Sequence, residues 1–340
     1  MGIANADNVP VTTETEITLA SGSQRAVVSP FGALLRRYFR WRTIEKSIPS
    51  GAIRDQPTRK AEGDVLCPFP GRIAHGRYLF DGQTFQLDCN DKEGTQRHPR
   101  VCPVPFVEHC GSHPLERVIN GDHLSRYIRD PWLSLFSRAS AFLFSRPVGL
   151  FCQFNLRNAG TAHAPVGMGF HPYFTVGTVT IDEAEGADSG HALSGFGETL
   201  IPTGRLLPVQ DSPWDCREFR RIGQTRFNHC YMRLQPDQDG SCRASLRNPK
   251  TGRTIAIGMD RAFTALVVNT GDDCEFAKAG IGHRTHDLFD GCLQPSCLGD
   301  CECCHPARRT PAVIRSSPAV RRSTPPILVL LCHEKMRRAQ

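Results

Sequence analysis

Long hydrophobic runs are missing from this chain. The apolar stretch Ile327 to Cys332 falls far short of the about 20 residues that carry a helix across a bilayer, so no membrane partner is expected. Helical periodicity is equally scarce, and the first residues lack the charged-then-apolar pattern of a secretory leader. A surplus of one charge is confined to one place. Residues 306–340 carry Arg308, Arg309, Arg315, Arg321, Arg322, Lys335, Arg337 and Arg338 against Glu334 alone, which accounts for the whole formal charge of +7. The rest of the chain is neutral, so no nucleic acid or other polyanion is expected as a partner. Cysteine is plentiful at 15, but a pairing rhythm is not. Scattered thiols without a leader point to a reducing, cytoplasmic setting.

What is present is a globular composition, 39% hydrophobic, with 30 Gly and 25 Pro punctuating short strand-like runs. This predicts an all-β protein, a large antiparallel β-sandwich. Ile17-Thr18-Leu19-Ala20 and Arg25 to Ser29 read as strands around the turn at Gly22. Tyr78 and Phe80 alternate with Arg77 and Leu79 up to the hairpin signal Asp81-Gly82, and Phe85 and Leu87 alternate on the return. Leu150 to Asn158 alternates cleanly, Leu200 to Arg205 reads as a turn, and Phe263 to Thr270 is a run suited to a sandwich core. Alternation fails in about 40–60, 97–148 and 274–340. The expected division is therefore an interrupted sandwich domain over 1–273 and an aberrant Cys-rich, basic, disordered tail over 274–340.

Two places carry chemistry. In Gly169-Phe170-His171-Pro172-Tyr173-Phe174 a titratable imidazole stands between aromatic residues, and Pro172 biases His171 toward extended backbone. An imidazole titrating near neutrality suits a general acid or base, although a packed or surface histidine has the same local appearance. Arg72 follows the turn Pro68-Phe69-Pro70-Gly71, where a guanidinium offers forked donors to hydroxyl oxygens or simply faces solvent.

Together these pieces resemble the aldose 1-epimerases, the galactose mutarotase-like family. The resemblance rests on Pro68 to Ile73 with its Gly76-Arg77-Tyr78 hairpin, on Gly169 to Phe174, on Ile201-Pro202-Thr203-Gly204 and on Val268-Asn269-Thr270, in that order over about half the chain. It implies a supersandwich of twisted antiparallel sheets with a hexose in a cleft, and neither metal nor organic cofactor. It further implies that His171 is the acid, Arg72 a ligand of sugar hydroxyls, and Asn228 the counterpart of a binding aspartate. A base takes the anomeric proton while the acid protonates the ring oxygen, the ring opens, and it closes on the other face.

Two family motifs are missing: Asn-Ala-x-His-Gly after the hairpin, and Glu-Pro-x-Thr, which supplies the catalytic glutamate. The nearest carboxylate ahead of the latter position is Glu275. Activity is therefore expected to be impaired, with a non-catalytic carbohydrate-binding protein as the alternative. A zinc site in the tail (Cys297, Cys301, Cys303, Cys304, His305) is not expected, because Cys-x-Cys-Cys departs from the usual ligand spacing.

The genetic code connects both losses. Gln96-Arg97-His98-Pro99-Arg100 can be encoded so that the frame one nucleotide later reads Asn-Ala-Ile-His-Gly. His283 to Gln294 likewise permits Ile-Glu-Pro-Met-Thr-Cys-Ser-Thr-Asp-Ala-Phe-Asn, with the glutamate codon straddling Arg284 and Thr285. The prediction is that the coding DNA carries the codons these shifted readings require. Codons that forbid them would refute the frame displacement.

Overall fold

Period-two alternation is written most plainly in the strands Cys242–Arg247 and Arg253–Met259 of the computed structural model. Cys242, Ala244 and Leu246 are buried on one, Ile255, Ile257 and Met259 on the other. They pair antiparallel as Cys242↔Met259, Ala244↔Ile257 and Leu246↔Ile255, so the apolar sets share a face. Opposite them lie Phe170, Phe174, Tyr231, Leu266 and Val268, and both sets join one hydrophobic cluster. Each such fully buried large side chain contributes about 1.5–3 kcal/mol of transfer free energy to this interface.

The structure describes residues 16–21, 24–29, 34–40, 65–66, 69–80, 82–89, 96–97, 107–110, 116–121, 136–145, 149–158, 169–197, 200–261, 263–270, 289–295 and 327–334. Two large antiparallel sheets form the layers. One has nine strands in the order 220–221, 185–188, 242–247, 253–259, 327–334, 149–158, 136–145, 116–121, 107–110. The other runs 202–208, 192–196, 228–232, 263–269, 289–295, 169–170, 65–66, with 173–174 also paired to 289–295. A three-stranded sheet, Ile17–Ser21, Gln24–Ser29 and Leu34–Arg40, adds Ile17, Leu19, Val28, Leu35 and Tyr38 to the same core. The all-β antiparallel sandwich expected from the sequence is the architecture found.

Three expectations are revised. The tail beyond 273 does not stand wholly apart, because Phe289–Pro295 and Ile327–Glu334 pair within the two large sheets. The segment 97–148 supplies Val107–Cys110, Glu116–Gly121 and Phe136–Ser145. Composition misled in both places: Cys and Arg content says little about pairing, since ladder hydrogen bonds come from backbone groups that every non-proline residue carries. The continuous apolar run at 327–332 also suits an interior strand, which needs no alternation when both faces are covered. Third, the turn read at 200–205 lies earlier. Leu200 N–H donates to Gly197 O at 2.9 Å, and an edge strand begins at Pro202, a position where the missing N–H costs no ladder bond. The segment 41–64, Glu275 and the Cys/His group at 297–305 lie outside the described residues.

One buried polar turn braces the two layers. Asp188 is buried, and its Oδ1 accepts from Gly190 N–H at 2.7 Å. A Cβ on Gly190 would stand 2.6 Å from Tyr231 Cδ1, so the turn requires glycine. Burial pushes the Asp188 carboxyl up to about 7; the charge of Asp215 acts in the same direction, and the Gly190 bond opposes both. In the unfolded chain this carboxyl ionises at about 4, so folding favours the protonated form. The resulting stability is complete below about pH 4 and is lost as pH rises through 7. Asp188→Asn keeps a carbonyl acceptor for Gly190 without the charge. It should flatten the fall in Tm between pH 4 and 7 and raise Tm at pH 8 by several degrees in thermal melts; an unchanged profile would show that Asp188 is not the titrating group.

Candidate functional site

The Arg72 loop is held by aromatic packing. Phe69, packed against the core, lies 5.4 Å from Tyr78 between ring centroids, and Tyr78 stacks on Phe85 at 5.2 Å across the hairpin. Pro70 is buried and Arg72 half-buried. The following turn uses His75 and Gly76 at positive φ (52° and 65°), with Gly76 N–H donating to Ile73 O at 3.1 Å and Leu87 N–H to Gly76 O at 2.8 Å. A Cβ on Gly76 would meet Leu87 O at 2.3 Å, so the hairpin can approach the loop this closely only with glycine there.

His171 stands at a break in a strand. Gly169–Phe170 and Tyr173–Phe174 both pair with Phe289–Pro295, through Phe170↔Leu293 and Tyr173↔Asp290, while residues 171–172 leave the ladder where Pro172 has no N–H to give. Phe170, Pro172 and Phe174 are buried and His171 is half-buried. By period two, His171 belongs to the face opposite the core. Gly169 also pairs with Leu66, so the strand leading into the Arg72 loop is the direct neighbour of the strand leading into His171.

Asn228 opens the strand Asn228–Met232, which pairs with Phe263–Asn269 as Asn228↔Asn269, His229↔Val268 and Tyr231↔Leu266. Tyr231, Leu266 and Val268 belong to the core. Asn228 and Asn269 therefore sit on the other face, the one that carries His171. From the His171 chain to Asn228 there are three interstrand steps of about 4.8 Å, roughly 14 Å along the sheet. The face thus presents an imidazole on one side and a carboxamide on the other, with span enough for a small polar molecule between them.

The next residue, His229, turns to the core-side face with Tyr231 and Val268. His229 packs on Trp214 at 4.3 Å between ring centroids, and burial lowers its pKa. Tyr231 O–H donates to Trp214 O at 2.7 Å, fixing the indole segment above the strand. Asn269, to which sequence reasoning assigned no role although it lies in a quoted motif, donates through Nδ2 to Asn228 Oδ1 at 3.4 Å. Only the register of two distant segments brings these amides together, and no local spacing signals it.

Solved structures place the architecture. A GalM/aldose epimerase homologue from C. elegans superposes with a TM-score of 0.70 at 12% identity, over 94% of this chain and 99% of that one. Galactose 1-epimerase from Lactobacillus acidophilus NCFM gives 0.68 at 14% identity, over 94% and 95%. The fold is thus the galactose mutarotase-like antiparallel sandwich. The family model described as aldose 1-epimerase matches residues 132–297 of this chain. YihR of Escherichia coli K12, which bears the description uncharacterized protein, is 26% identical over 172 residues, 50% of this chain and 54% of that protein. Galactose mutarotase of Sus scrofa is 24% identical over 210 residues, 57% and 58%. The chain spans little more than half the length of these relatives.

The strand pair at Asn228 is tied off by Thr270. Thr270 N–H donates to Phe227 O at 3.0 Å, and Phe227 N–H donates to Thr270 Oγ1 at 3.1 Å, both buried. Thr270→Val would leave the Phe227 N–H without an acceptor. The expected cost is about 1–3 kcal/mol in denaturant unfolding, and no loss of stability would show that the N–H finds another partner.

Proposed function

We propose that the chain binds an aldohexose such as galactose or glucose and acts on it as an aldose 1-epimerase whose activity is impaired. His171 protonates the ring oxygen, while Arg72 and Asn228 hold sugar hydroxyls. The observation that carries this reading is the placement of His171 and Asn228 on one non-core face of a single sheet, with the Arg72 loop led in by the neighbouring strand. No cofactor enters the scheme, because acid and base alone suffice to open and reclose a hemiacetal. Neither a nucleic acid nor a membrane partner enters it, and a cytoplasmic setting accords with the scattered free cysteines. Among the described residues no helix is long and apolar enough to cross a membrane.

Impairment follows from the base. The Glu-Pro-x-Thr motif is absent from the sequence, and losing one proton-transfer partner costs about 10² to 10⁴ in rate. The second reading, sugar binding without turnover, is favoured by the same absence and by Asn228, which supplies no negative charge. The expected result is calorimetric binding of galactose or glucose, weakened by Arg72→Ala, with polarimetry on the fresh α-anomer showing little or no acceleration. Full mutarotation abolished by His171→Ala would reveal another base, and residual turnover lost in that variant would favour the impaired enzyme over the pure binder. Absence of sugar binding would overturn both readings.

A further inference from the structure

We propose that Asn269 is a positioning residue that turns the Asn228 carboxamide so that its amino group faces the sugar, making this side of the cleft a hydrogen-bond donor. The inference rests on the sugar-binding reading above and deepens it. Phe227 and Thr270 exchange hydrogen bonds on one side of the pair, which makes Asn228↔Asn269 the next, non-hydrogen-bonded pair of the ladder. Such pairs bring Cα atoms to about 4.5 Å and side chains closest. The two carboxamides, both half-buried, are therefore held against each other by backbone register. Asn269 Nδ2 donates to Asn228 Oδ1 at 3.4 Å. A carboxamide has one acceptor oxygen and one donor nitrogen; once the oxygen is engaged from the side by Asn269, the plane of the amide is set and Nδ2 is the end left to address a ligand.

The chemical consequence is a reversal. An aspartate at position 228 could only accept hydrogen bonds, so a sugar hydroxyl would have to donate to it; Asn228 oriented by Asn269 donates, and the same hydroxyl serves as acceptor. A ligand atom that accepts but does not donate is therefore tolerated at that one position of the sugar.

The test uses the full chain, galactose, and a panel of monodeoxyfluoro-galactoses, in which fluorine accepts weakly and cannot donate. Binding is read by calorimetry, with melting curves to confirm that each variant folds. Wild type should bind galactose and tolerate fluorine at one ring position. Asn269→Leu should weaken galactose binding about tenfold, the loss of roughly one hydrogen bond's worth of orientation. Asn269→Asp can only accept, so it turns the Asn228 amide around; galactose binding should persist while tolerance of fluorine at that position disappears. Unchanged affinity and an unchanged fluorine pattern in both variants would overturn the positioning role while leaving the sugar site standing. Absence of galactose binding in wild type and variants alike would instead overturn the sugar reading beneath it.

Discussion

The antiparallel ladder between Asn228–Met232 and Phe263–Asn269 is the constraint on which the molecule turns. Its register decides two things at once, because a period of two sends alternate residues to opposite faces. Tyr231, Leu266 and Val268 close the core from one side. On the other side the same register sets Asn228 against Asn269. A slip of one residue would exchange the two faces, exposing the apolar set and burying the amides, so the stability of the sandwich and the layout of its opposite face are selected together.

Much of the candidate site was legible because its residues sit in dense local patterns. His171 is flagged by its proline and aromatic neighbours, and Arg72 by the turn before it; the structure adds that the strands leading into both are paired. The Asp81-Gly82 hairpin was equally readable and forms with Phe80 opposite Gln83. What could not be read depends on long-range register. Asn228 and Asn269 are separated by 41 positions, and nothing in either segment names the other. The strands at 289–295 and 327–334 were hidden for a different reason: Cys, Arg and Pro nearby advertise irregular structure, while pairing is decided by backbone groups and by the edges already waiting in the sheets.

The chemistry open to the candidate site follows from what its residue types can exchange. An imidazole can give and take a proton near neutrality, whereas a guanidinium and two carboxamides cannot, so among Arg72, His171, Asn228 and Asn269 only His171 supplies acid/base work. The other three can only offer or accept hydrogen bonds.

The strand Ile327–Glu334 lies between Arg253–Met259 and Gly149–Asn158, with Leu330 opposite both Ile257 and Leu150. It therefore joins two parts of the nine-stranded sheet made much earlier in the order of synthesis. Until residues past 330 leave the ribosome, each half presents a long open edge of unpaired N–H and C=O groups, flanked by the core residues Leu150, Ile255 and Ile257. Such an edge accepts any extended chain that reaches it. Delivery of this central strand after both of its neighbours thus leaves their edges open to other extended segments for a time.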